Sequence, residues 1–407
     1  MKIRKSGIAA AVATLAVGTL FAASTPAIAD TPTLLVWVDS ARKADFTGPI
    51  ADWAKANGVT VTVTGKDFGT VRDQLKTAVP AGTGPDLLLA AAHDWTGNLV
   101  ASGVVRPVSL SAAQTSSLAS NALAGFLYNG KQYGVPFWTE NIGLVRSLKS
   151  APKVPANGAA IKNGELQVGT YGSVGGDPYH FYPIQSSFGA PVFDSTSKGW
   201  TTTLGMDGAE GATFAKYLAA KGTAFFGKAD ASWDKTVCAI KTGALKYWIT
   251  GPWAISAIEG GNSTCNAKSV VDKDFAISAI PSFGGKTAQQ FMGVKGGMIT
   301  NSPSTDVVRA TSLLTYLAGK AAGVNYFNTE SFSPANKEAL AVASNDPVIK
   351  EFAAAGKNAV PMPNNPAMDS VWDKWGKTEA KIITGKSTNP TADWTAMTDA
   401  ITALIKG

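Results

Sequence analysis

The feature that most constrains this chain is the order of its segments between residues 33 and 89. Thr33-Leu34-Leu35-Val36-Trp37-Val38 is a short apolar run of strand type, and an amphipathic segment follows around Ile50, Trp53 and Ala54. Val59 to Thr64 reads VTVTVT, a strict alternation that predicts a strand with one wet face. Phe68, Val71, Leu75 and Val79 have helical spacing, residues 80–85 are turn chemistry, and Asp86-Leu87-Leu88-Leu89 is a buried strand. Strand, helix, strand, helix, strand predicts a parallel sheet with helical crossovers. In such sheets ligands sit beyond the carboxyl ends of the strands. The loops after Val38 and Leu89 are thus the places to look, and they hold Asp39, Arg42, His93, Asp94 and Trp95.

A second stretch organises the middle of the chain: Asn129 to Arg146, NGKQYGVPFWTENIGLVR. Asn129-Gly130 is a turn, and the Tyr, Val and Phe that follow fit a pleated surface. Pro136 then removes one ladder donor. The strand is expected to stop pairing there and to cross between two lobes, which puts Glu140 at the mouth of the cleft between them. Further on, residues 166–170 read as a strand and residues 172–178 as a Gly-rich loop. That loop lacks a Gly-Lys-Ser/Thr ending, so it is no phosphate cradle. It delivers Asp177, Tyr179 and His180 to a helix start. Residues 207–221 and 232–241 have helical period, and helices dominate after residue 305.

Residues 1–29 stand apart. Lys2, Arg4 and Lys5 precede an apolar run from Ile8 to Phe21, and Ala27-Ile28-Ala29 is a small-x-small cleavage site. This is the pattern of a secretory signal peptide. The mature chain is therefore expected to be exported, to the periplasm or else by free secretion, with Asp30 rather than a lipid-carrying cysteine at its start. Its length of about 378 residues exceeds one comfortable core and predicts two lobes. Removing the leader lowers the formal charge from +7 to about +4, spread without a Lys/Arg cluster, which argues against nucleic acid as a partner. Cys238 and Cys265 in an exported chain predict one disulfide closing a loop of about 27 residues, a link that stabilises by about 3 kcal/mol. The alternative is a pair of free thiols. Two Cys and two His scattered over the sequence make no metal-ligand cluster, and no cofactor motif is present.

The candidate site is a set of rings and carboxylates at loop ends. Trp95, Trp138, Tyr179, Trp233, Trp253 and Trp372 fall in loops or at helix starts. A flat ring stacks on the apolar face of a pyranose, while Asp39, Arg42, Asp94, Glu140 and Asp177 supply groups that bond the hydroxyls at its edge. Each ring alone is equally at home in a core. Met368, Trp372 and Trp375 even share the i, i+4, i+7 spacing of a buried helix face. His93 and His180 are read as structural histidines without a nucleophilic partner. Asp94 suits a helix N-cap as well as a ligand contact. The carboxylates also leave open a glycosidase, which needs an acid–base pair at a set separation.

Taken together, several stretches resemble the maltose-binding protein family, the extracellular solute-binding components of carbohydrate importers. They include Leu34 to Val38, Gly84-Pro85-Asp86 with His93-Asp94, Asn129 through Glu140, Asp177-Pro178-Tyr179, Thr250-Gly251-Pro252-Trp253, Ile280-Pro281-Ser282-Phe283 and Met362 to Trp372. The resemblance implies a periplasmic-binding-protein-like α/β fold of two lobes, residues 30–138 with 285–335 and residues 139–284 with 336–407, hinged around a sugar. It implies Asp94, Glu140 and Asp177 as hydroxyl-binding carboxylates and Arg42 as the basic residue of the first loop. Tyr179, Trp253 and Trp372 become stacking platforms, with Trp233 replacing a tyrosine in that role. Ala41, Ala91 and Gly376 depart from the pattern, where maltose binders carry an aspartate, a tryptophan and an arginine, and Trp95 follows Asp94 where an arginine is usual. The implied function is a monomeric, non-enzymatic receptor that binds a maltodextrin-type α-glucan and delivers it to the permease subunits of an ABC importer. A secreted glycoside hydrolase, or a binder of trehalose or cyclodextrin, is the alternative.

Overall fold

The computed structural model describes residues 31–169, 176–196, 199–260, 264–266 and 268–406; the signal-peptide reading at residues 1–29 and most of the Gly-rich loop lie outside them. The opening segments fold as their order implies. Strand Thr33–Asp39 pairs in parallel with Thr60–Lys66 and Leu87–Ala92, and helices Lys43–Asn57 and Val71–Ala78 make the crossovers. Leu87–Ala92 is buried along its whole length, as a continuous apolar run inside a parallel sheet should be. Phe68 is not part of the second helix. Asp67 accepts a hydrogen bond from the Thr70 hydroxyl, a local turn that holds residues 67–70 out of the helix.

The sheet is mixed rather than purely parallel. Strand Phe291–Ile299 returns antiparallel between Leu87–Ala92 and Gly134–Asn141, with Ser333–Pro334 on the outer side and Val360–Pro361 beside Phe291. The expectation that pairing stops at Pro136 is corrected: Gly134–Asn141 stays paired to its end, with Asn141 opposite Met292. Lys295 faces Trp138 and Gly296 faces Pro136, so Phe137 is left over as the extra residue of a bulge. A bulge is where a sheet tolerates proline. A second register shift lies on the other side of the return strand, where Gly296 faces Ala91 and Met298 faces Leu88. Ala90 falls inside it with φ of 56°, in the left-handed region. Within this second shift, a Cβ on Gly297 would stand 2.3 Å from a Leu314 methyl and 2.8 Å from the Phe137 ring, both buried, so glycine is what fits.

A second sheet carries Phe275–Ser278, Gly143–Ser147, Tyr247–Thr250 and Leu166–Val168 in that order, the last pair parallel and the others antiparallel. Buried side chains form three cores. One contains Leu34, Phe46, Leu89, Phe137 and Leu314. Another contains Leu144, Tyr182, Phe214, Trp375 and Trp394, and a smaller one Val145, Trp248, Ile255 and Phe352. Helix Lys337–Ala343 packs on Lys320–Glu330, which belongs with the first core.

Cys238 and Cys265, expected as a disulfide, are neighbours in the structure with no S–S bond between them. The Cys238 thiol hydrogen-bonds Cys265, which holds its pKa above the usual thiol value, and it also lies 3.9 Å from the Thr264 carbonyl.

Candidate functional site

The carboxyl ends of the parallel strands open onto a cleft of about 1080 Å³. Asp39 ends the first strand and the loop after it brings Arg42. Ala92 ends the third, and a single 3-10 turn, His93–Trp95, follows it. The opposite wall carries Asp177 and Tyr179 at the start of helix Pro178–Ser187, Trp253 in the turn Pro252–Ala254, and Trp372 at the start of helix Trp372–Ile383. Glu140, Trp138 and Lys295 come from the strands beneath. Of the nine ligand-binding residues expected from the sequence, Arg42, Asp94, Trp95, Glu140, Asp177, Tyr179, Trp253 and Trp372 line this cleft.

Trp233 does not, which corrects its expected stacking role. It is 40 % exposed at the start of helix Trp233–Thr242 and leans edge-on against Trp248 at 5.1 Å.

The carboxylates are held in different ways. Asp94 is buried and accepts a hydrogen bond from the Trp372 indole at 3.1 Å, and burial raises its pKa above the usual carboxylate value. It caps no helix; Ala92 and Trp95 occupy the cap positions of the two turns that follow. Glu140 accepts from the Trp138 indole at 3.0 Å and lies 4.0 Å from the Lys295 ammonium. Asp177 caps its helix and meets the His180 ring at 2.7 Å. These three carboxylates surround Tyr179. Burial first, then the charges of Glu140, Asp94 and Asp177, push its phenol well above the usual value. The Tyr179 hydroxyl is buried without a hydrogen-bond partner. A buried polar group left so calls for a partner from outside the chain.

The rings lie around this point. Trp372 stacks on the buried Trp375 at 5.6 Å and 18°, and Tyr179 stands 6.3 Å from Trp253. Trp253 is only partly buried and packs against all three cores. Trp138, by contrast, is a core residue, stacked at 4.6 Å and 5° on Phe332. His93 is structural: Val294 donates its N–H to Nδ1 at 3.1 Å, leaving Nε2 to donate to the Met362 carbonyl at 3.2 Å. Burial, with Lys295 adding to it, lowers the His93 pKa to about 4.

Arg42 lines the cleft but is committed to the protein, 2.6 Å from Glu330 and stacked 5.4 Å from the Phe332 ring. Sequence reasoning missed Phe68, Arg72, Lys295 and Asp369, which also line it. Lys295 sits mid-strand, where nothing in the sequence marks a side chain re-aimed by a bulge. Phe68 was hidden by a helical spacing that the fold honours only at Val71, Leu75 and Val79. Acidic side chains outnumber basic ones around the cleft: Asp39, Asp67, Asp73, Asp94, Glu140, Asp177, Asp369 and Asp373 against Arg42, Arg72 and Lys295. That balance disfavours an anionic ligand.

Known proteins agree with this architecture. The profile of a family described as bacterial extracellular solute-binding protein matches residues 49–359. The chain is 26 % identical over 405 residues to a maltodextrin-binding protein of Bacillus subtilis, with 91 % of each covered. It is 23 % identical over 384 residues to a galactooligosaccharide-binding protein of the same organism, covering 87 % of this chain and 85 % of that one. Among solved structures, the Thermus thermophilus maltotriose-binding protein bound with maltotriose superposes with a TM-score of 0.78 at 23 % identity, over 91 % of this chain and 100 % of that one. The fold is the α/β periplasmic-binding-protein-like one, built on two mixed sheets.

Proposed function

We propose, from the premise that the chain belongs to the bacterial extracellular solute-binding protein family, that it captures a maltodextrin-type α-glucan in this cleft and passes it to the permease subunits of an ABC importer. Members of such a family bind without converting, and binding energy serves to favour a closed state over an open one. The lobes expected to close are residues 30–138 with 285–335 and residues 139–284 with 336–407, except that helix Lys337–Ala343 goes with the first by its packing on Lys320–Glu330.

One observation carries the reading: the unpartnered Tyr179 hydroxyl, ringed by Asp94, Glu140 and Asp177 and flanked by Trp253 and Trp372. Hydroxyl-rich edges suit the carboxylates, and the ring faces suit the apolar side of a pyranose. The likeness to relatives named for maltodextrin and maltotriose supports the α-glucan. The likeness to a galactooligosaccharide binder supports a second reading, a galactose-containing oligosaccharide in the same cleft.

Calorimetric titration of the protein with maltose, maltotriose, maltotetraose, trehalose, cyclodextrin, galactooligosaccharide and an oligogalacturonate tests the proposal. Binding of linear α-glucans and no binding of the anionic sugar are expected. Binding of galactooligosaccharide alone replaces the α-glucan reading with the second one. Turnover of maltotriose that disappears in Glu140→Ala sinks the receptor reading altogether.

A further inference from the structure

We infer that Phe68 forms a further sugar subsite, on the opposite wall from Tyr179, Trp253 and Trp372, and that this subsite sets the oligosaccharide length the protein prefers; the inference rests on the α-glucan reading above. Phe68 lies in the turn between strand Thr60–Lys66 and helix Val71–Ala78. It lines the cleft and is 36 % exposed, and it belongs to none of the three cores. A large ring that keeps part of its surface exposed inside a ligand cleft is available for ligand contact.

The surroundings of the ring give it the form of a platform. Trp95 backs it at 4.8 Å with the planes tilted by 35°, and the Arg72 guanidinium lies 6.0 Å from the Trp95 ring. The Lys295 ammonium sits 3.8 Å over the Phe68 ring, within 4.0 Å of Glu140. The Lys295 side chain is only 16 % exposed, and a cation over a ring is attracted to it, so a sugar on that face has to compete with the ammonium. A glucose unit laid on Phe68 displaces the ammonium from the ring face and meets it as a hydrogen-bond donor to its hydroxyls. Gly69, Ala90 and Ala92 line the cleft nearby with little side-chain bulk.

The test measures dissociation constants for maltose, maltotriose and maltotetraose by calorimetry on wild type, Phe68→Ala, Phe68→Leu and Phe68→Tyr, with thermal melts as the check on folding. Phe68→Ala is expected to weaken maltotetraose more than tenfold and maltose by a clearly smaller factor, so that the preference for length collapses. Phe68→Leu, which keeps bulk without a flat face, follows the same pattern, and Phe68→Tyr restores wild-type behaviour. Equal weakening of all three sugars, or none, overturns the inference while leaving the α-glucan reading intact. A wild type that binds none of the three overturns both.

Discussion

Trp372 shows at the residue scale what spacing conveys and what it conceals. Its place in the series Met368, Trp372, Trp375 marks a buried helix face, and two of the three are indeed fully buried. Trp372 sits at the rim of that face. One side stacks on Trp375, and its indole N–H reaches across to Asp94. Nothing in the spacing distinguishes the rim from the centre, because the distinction depends on Asp94, 278 residues away. The ring and the N–H predict separable losses. Trp372→Ala and Trp253→Ala should each weaken sugar binding by roughly 1–3 kcal/mol, the worth of one aromatic burial. Trp372→Phe, which keeps a ring and frees the Asp94 oxygen, should lose less than Trp372→Ala in the same calorimetric titration. Unchanged binding in both alanine variants would make these rings part of the packing only.

At the scale of elements, the strand–helix alternation of residues 33–89 was legible because its two inner strands are apolar runs and its edge strand alternates. The bulges were not legible. The left-handed Ala90 and the unmatched Phe137 exist only because the return strand Phe291–Ile299 lies between their strands with its own offset. His93 ties these elements together, since it bonds Val294 of the return strand and Met362 of the later crossing. Its pKa is about 4 in the folded chain against an ordinary value of 6.5. Between those two values the unfolded chain holds a proton that the folded chain lacks, so stability rises with pH across that window and is lost on acidification from 6.5 toward 4. A gap of that size corresponds to about 3 kcal/mol. Urea unfolding from pH 4 to 7 should show this slope in wild type and a flatter one in His93→Gln; parallel curves would remove His93 as its cause.

For the whole molecule, the join between the two halves is as telling as the cleft. Asp369 belongs to the turn Pro366–Ser370 on the Trp372 side. It is met from the other side by Arg72 at 2.6 Å, Lys76 at 3.2 Å and Asn98 at 2.8 Å. Partly exposed ion pairs of this kind are worth about 1 kcal/mol or less each and weaken with salt. Ligand-free scattering should therefore show a radius of gyration that grows as salt is added to wild type. Asp369→Asn should start larger and respond less, and identical salt profiles would rule the cluster out as a brace. None of this was visible in the sequence, where Asp369 reads as one more polar residue beside a helix. Trp253 leaves a different legacy. Because that ring leans on three separately packed bodies, its position is agreed among them rather than owned by its own turn. A lineage adapting to another sugar must renegotiate three interfaces to move it, whereas Phe68, perched on a loop, can be traded alone. Drift in ligand choice should accordingly begin on the Phe68 wall.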